Sequence, residues 1–286
     1  MTSLGPQPSW DEGVRTALHG AIDQFFDRMG GANKRAGEKD SLEGSGTPGS
    51  ATGNELTDML QRLSELDAAT WDRYVISADM LHAKVDPEEG ALLAESARAC
   101  GREWARRMAD EEHVSSPDAL ARHLGVEVSD NPAPVSGKRV LFAQFVPESH
   151  IDLMSEPLAR YAELRTQMLA EATEEQRPLF EQLLPTKNHV RSLILSHELF
   201  HVIEDQNEDT IFTRTARIRL WKFLGLENRS TLRCLGEIGA GAFAQEFVGS
   251  TFCPFALDIL LSWSYDAELA RSLYRDVLAC AETAHQ

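Results

Sequence analysis

A chain of 286 residues, 42% of them hydrophobic and 26% charged, can bury one substantial core and has room for a second small unit. Its formal charge of −17 argues against general affinity for nucleic acid or anionic membrane, and no window offers the roughly 18 uncharged apolar residues of a membrane span. Cys100, Cys234, Cys253 and Cys280 are scattered without paired metal spacing, and Met1 to Trp10 lacks the basic start and apolar run of a secretion signal. Free thiols in a reducing compartment, the cytoplasm, are the expectation.

In chain order, Trp10 to Met29 predicts a helix with Val14, Leu18, Ile22, Phe25 and Phe26 along one stripe. Residues 30–54 carry Gly, Ser, Lys, Glu and Thr with almost nothing apolar and read as a flexible linker, which makes residues 1–29 a helical arm. Residues 55–115 form a helical region on the core: Leu56, Met59, Leu60 and Leu63 space one helix, a segment Trp71 to Leu81 follows, and Ala91 to Asp110 a third, with Trp104 and Met108 facing inward. Ser116-Pro117 opens a short helix that Gly125 stops. Val126 to Ser129, Arg139 to Val146 and His150 to Met154 read as strands, and a helical stretch fills 155–184. Residues 251–286 close the core with helices at Phe255 to Trp263 and Asp266 to Ala281.

Between these lies the pattern His197-Glu198-Leu199-Phe200-His201. Four residues return a helix to nearly the same face, so His197 and His201 can present two imidazoles to one ion. Glu198, one step round, is placed as a general base, the division of labour that hydrolytic zinc requires. Pro185 ends the preceding segment, Thr186 or Asn188 can cap the new helix, and Val190 to Ile203 is apolar over most of its circumference. A third ligand is still needed. An extended motif with a glycine at position 204 and a ligand at 207 is excluded by Glu204 and Asn207. Glu237 is the better candidate: Ser230 is a candidate N-cap, and Gly236, Gly239, Ala240, Gly241, Ala242 and Ala244 suit a helix that must approach another backbone closely. Glu204, Asp205 and Glu246 stand as fallbacks, the first two read as the solvated end of an acidic run reaching Asp209.

The sequence Glu237-x-x-Ala240-x-x-Phe243-Ala244, with the upstream order of helix, strands and His-Glu helix, resembles the ImmA/IrrE-type gluzincin metallopeptidases over about residues 116–250. The resemblance implies an α+β, mostly helical, minimal zincin-like domain with a small sheet packed on the zinc-binding helix. It also implies Zn2+ held by His197, His201 and Glu237, with Glu198 catalytic. The expected function is therefore a zinc-dependent hydrolase cleaving a peptide bond in a protein or peptide substrate. The strand Arg139–Val146 is the expected edge for an extended peptide. Two other readings stay open: a regulatory zinc-binding protein that sequesters a partner, and a toxin or effector peptidase with residues 1–54 as a delivery arm. Tyr161, His189, Tyr265 and a basic island of Arg214, Arg217, Arg219, Lys222, Arg229 and Arg233 offer oxyanion-stabilising groups by type. The island is expected mainly to pair with the protein's own surplus carboxylates.

Overall fold

The structure, a computed structural model, describes residues 50–132, 143–146, 150–223 and 226–282, and it is mostly helical with two small sheets. The Trp10–Met29 helix and linker residues 30–49 lie outside the described residues. Helix α1 (Ser50–Ser64) starts inside the stretch read as linker to residue 54 and buries Leu56, Met59, Leu60 and Leu63. Asp67 caps α2 (Ala68–Ala78) by accepting from the Thr70 N–H. Helix α3 (Pro87–Arg106) begins a turn earlier than its apolar spacing suggests. Asp86 accepts from the N–H groups of Glu88 and Glu89, and Pro87 supplies a first-turn φ at no cost in hydrogen bonds. A π turn over Arg107–Glu111 ends it. Ser116 caps α4 (Pro117–His123).

Strands β1 (Glu127–Asn131), β2 (Ala143–Val146) and β3 (His150–Met154) make a three-stranded sheet in the order β1-β3-β2. β1 runs parallel to β3 from Glu127↔His150, and β2 antiparallel from Ala143↔Leu153. Residues 139–142 of the expected second strand lie outside the described residues. Ile151 and Leu153 point into the core by the period-two alternation of a strand, while His150 and Asp152 stay partly exposed. The stretch 155–184 resolves into two helices, α5 (Ser155–Glu171) and α6 (Arg177–Leu183).

Thr186 opens α7 (Lys187–Gln206) by accepting from the His189 N–H. This helix lies against β2, α4 and α5. A four-residue helix, α8 (Phe212–Thr215), and a hairpin of β4 (Ile218–Phe223) with β5 (Leu226–Ser230) come next. Then α9 (Cys234–Val248), α10 (Ala256–Trp263) and α11 (Ala267–Glu282) complete the chain. The basic island is thus this hairpin and its flanks, which the sequence reading left without structure.

Helix α9 is buried around most of its circumference, from Cys234 to Ala244, and occupies the middle of the molecule between α3 and α7. Its small residues serve a close approach, as expected, but the closest neighbour is α3. A Cβ on Gly101 would lie 2.1 Å from the Gly239 carbonyl oxygen. Against α7 the fit is by side chain: a Cβ on Gly239 would meet the Phe200 ring at 2.9 Å. The expected cap is also corrected. Ser230 ends β5, the helix starts at Cys234, and the Cys234 N–H donates to Asp79 Oδ2 at 3.0 Å. Asp79, just past the end of α2, therefore caps a helix far along the chain, and its other oxygen accepts from the Leu81 N–H at 2.8 Å.

Candidate metal centre

The helical repeat of α7 sets His197 above His201, and α9 brings Glu237 from its first turn. The Nε2 atoms of His197 and His201 lie 3.3 Å apart. His197 Nε2 is 3.1 Å from Glu237 Oε2, and His201 Nε2 is 3.5 Å from Glu237 Oε1. Ligands held about 2.0–2.1 Å from a tetrahedral zinc are separated from one another by roughly 3.3 Å. Each pair of the three side chains thus approaches at about that separation, His197 through Glu237 Oε2 and His201 through Oε1, and together they form the one possible metal-holding group of His, Cys, Asp and Glu found among the described residues.

The charge balance fits a cation as well. Burial alone would raise the Glu237 carboxyl, but His201 and His197 reverse this and hold it at about 2. Burial works against a charged His201 ring, yet the carboxylates of Glu237, Glu204 and Glu198 outweigh it and push that ring up to about 9. Burial also raises Glu198, with the two imidazoles opposing and Glu237 reinforcing the shift. Three carboxylates surrounding two imidazoles is an arrangement that a divalent ion would neutralise.

Glu204 has a different place from the one the sequence suggested. It is 1% exposed, not solvated, and it accepts from His201 Nδ1–H at 2.7 Å. A carboxylate only accepts, so this bond fixes the His201 tautomer and turns the Nε2 lone pair toward the cluster. Burial would raise Glu204, but the His201 bond and charge, with Arg214, hold it low. Asp205 is exposed and bonds Arg214 at 2.6 Å, while Glu246 bonds Arg106 at 2.8 Å, so neither fallback joins the cluster. Glu198 is buried beside the two imidazoles and has no hydrogen-bond partner among the described residues, which leaves its carboxylate uncommitted.

Two of the oxyanion candidates are committed elsewhere. The Tyr161 hydroxyl donates to the Pro185 carbonyl, and His189 Nε2 meets Ser250 Oγ at 2.7 Å. The Tyr265 ring carries the Arg160 guanidinium at 4.5 Å. From the basic island only Arg214 is drawn to this region, through Asp205 and, at 3.6 Å, Glu204. The structure adds Asp258, on α10, whose carboxyl burial pushes up to about 7, with His197 opposing and Glu237 adding to the rise. Its signal in the sequence is a lone carboxylate in the apolar run Ala256 to Leu261. A Ser129–His150–Asp152 trio on β1 and β3 is no relay, because Ser129 Oγ and Asp152 Oδ1 both meet the same nitrogen, Nε2, of His150.

Among the described residues no helix is long and apolar enough to cross a membrane, and no disulfide joins the four cysteines. Comparison of the chain with family models, curated proteins and solved structures finds no match to any of them.

Proposed function

We propose that this chain is a zinc-dependent hydrolase of the gluzincin type, built on a zincin-like domain and cleaving peptide bonds. The observation that carries the reading is the convergence of His197 Nε2, His201 Nε2 and the two oxygens of the Glu237 carboxylate at pairwise separations of 3.1, 3.3 and 3.5 Å, close to those between ligands of one zinc. Bound there, zinc would supply Lewis acidity toward a carbonyl oxygen and make water a usable nucleophile near neutral pH.

The remaining chemistry belongs to the chain's own residues. Glu198, uncommitted and beside both imidazoles, takes the proton of the attacking water and returns it to the leaving amine. Its burial keeps it basic enough to accept that proton. Glu204 holds His201 in the tautomer that serves the site. β2 pairs only with β3 among the described residues and lies against α7, and an open strand edge so close to the helix of the cluster suits an extended backbone. A sequestering protein would need the three ligands but no uncommitted carboxylate beside them, and Glu198 therefore favours the hydrolase.

Elemental analysis of purified wild type, Glu237→Ala and Glu198→Gln, with turnover of a quenched peptide library, tests this. Wild type should carry about one zinc per chain and cleave; Glu198→Gln should keep the zinc and lose cleavage by at least about a hundredfold; Glu237→Ala should lose the zinc. Cleavage undiminished in Glu198→Gln, or a wild type that takes no zinc on reconstitution, refutes the proposal.

A further inference from the structure

In chain order the hairpin β4–β5 falls between the two helices that carry the cluster, and its exposed side chains are unusual. Trp221, Phe223 and Leu226 are 49%, 67% and 67% exposed, three of the few large apolar side chains left on the described surface. The register places Phe223 opposite Leu226 and Lys222 opposite Glu227. Because side chains alternate along a strand and cross-strand partners share a face, Trp221, Phe223 and Leu226 lie on one face, with Lys222 and Glu227 on the other. Arg229 joins that second face by bonding Glu227 at 3.1 Å, and Lys222 lies 3.4 Å from the same carboxylate, so two cations share one anion and the face keeps a net positive charge. The hairpin is amphipathic, and nothing among the described residues covers its apolar side.

Its charge is opposite to that of the molecule. From Arg214 to Arg233 there are six cations and one carboxylate, Glu227, on a chain with a formal charge of −17. Arg214 is drawn back to Asp205, and Arg217 donates to the Arg214 and Ala216 carbonyls, but Arg219 and Arg233 form no ion pair with a described residue. Among the described residues each strand of the hairpin pairs only with the other, so both outer edges are open to a further strand.

We infer that this hairpin is a docking site for an extended protein segment in which apolar and acidic residues alternate. Such a segment, added as a third strand, sets its apolar side chains on Trp221, Phe223 and Leu226. Its carboxylates then fall on the face of Lys222 and Arg229, and its backbone satisfies the open edge. The site rests on the peptidase reading for its purpose: β5 ends at Ser230, shortly before α9 begins at Cys234, so a strand held on the hairpin is tethered through a short connection to the helix that carries Glu237.

The test uses the full-length, zinc-loaded Glu198→Gln protein and a fluorescein-labelled synthetic peptide alternating Glu and Val, followed by anisotropy. Saturable binding is expected. It should weaken at least about tenfold in the added triple substitution Trp221→Ser, Phe223→Ser, Leu226→Ser, and comparably in Lys222→Glu with Arg229→Glu, at unchanged melting temperature. A peptide alternating Lys and Val should not bind. Absence of binding to wild-type hairpin, equal affinity in the triple variant, or a hairpin that instead binds phosphatidylserine vesicles or drives dimer formation overturns the inference. Hairpin-dependent binding by a protein inert toward all peptides leaves the docking site and removes the hydrolase. Cleavage with hairpin-independent affinity does the reverse.

Discussion

Gly101→Ala is the substitution on which the architecture can be tested most sharply. The new Cβ would sit 2.1 Å from the Gly239 carbonyl oxygen and 3.0 Å from the Phe243 nitrogen, both backbone atoms of α9 that cannot swing aside. A non-bonded carbon and oxygen need more than about 3 Å, so α3 and α9 must separate by roughly 1 Å. Helix propensity favours Ala over Gly by about 1 kcal/mol, and an overpacked core costs about 1–3 kcal/mol, more where backbone must move. The separation should dominate, giving a net loss of about 1–3 kcal/mol and a melting temperature lower by roughly 2–5 °C for a chain of this size. α9 also carries Glu237, and metal–ligand distances tolerate only about 0.2 Å, so zinc affinity should fall with stability. Differential scanning calorimetry and zinc titration would measure both. A variant as stable as wild type, with unchanged zinc affinity, would show that the α3–α9 approach does not position the site.

Three further outcomes follow from single contacts. Glu204→Gln removes the charge that accepts from His201 Nδ1–H and should weaken zinc binding about 10–100-fold, read by competition with a fluorescent chelator; an unchanged affinity would mean His201 is held without Glu204. Asp79→Ala frees the Cys234 N–H in a buried place and should cost about 1–2 kcal/mol in urea unfolding, with Asp79→Asn milder because it keeps one acceptor oxygen. Without metal, His201 holds its proton up to about pH 9, and zinc must displace it. The apparent zinc dissociation constant should therefore rise about tenfold per unit as pH falls from about 9 toward 7, and a flat titration would refute the coupling.

What the sequence made legible was periodic or local. His197 and His201 share a face because four residues nearly complete a turn, and Thr186 caps that helix by a bond to a residue three positions on. Glu237 was legible through the small residues around it, since they announce a close approach. Their chief partner was not, because Gly101 sits in α3 as an isolated glycine that costs helix propensity and gives no hint of its neighbour. Glu204 was misread because a run of carboxylates normally marks a solvated helix end, and only the fold reveals that one of them turns inward to an imidazole. The hairpin escaped for a different reason. Ile218-Arg219-Leu220 and Trp221-Lys222-Phe223 each alternate, but a register irregularity between Arg219 and Trp221 shifts the phase, so no single period runs through the strand.

The position of that hairpin follows from how the site is built. His197 and His201 come from α7 and Glu237 from α9, and these helices are set against each other by the Phe200–Gly239 contact and by α3 on the far side, not by the chain that links them. A connection whose length does not determine the geometry can lengthen at small cost, since loop-closure entropy grows only logarithmically. The segment between His201 and Glu237 is therefore where added structure can be carried without disturbing the cluster of His197, His201 and Glu237. Arg214, bonded to Asp205 and near Glu204, ties the start of that segment to the end of α7. Ile218, 1% exposed, anchors the base of β4 in the core. Leu220 also packs against the core, while farther out the strands bond each other and leave Trp221, Phe223 and Leu226 in solvent. A strand pair anchored at its base and apolar at its outer end adds little to the core, and the docking proposed above would give its exposed aromatic surface a role.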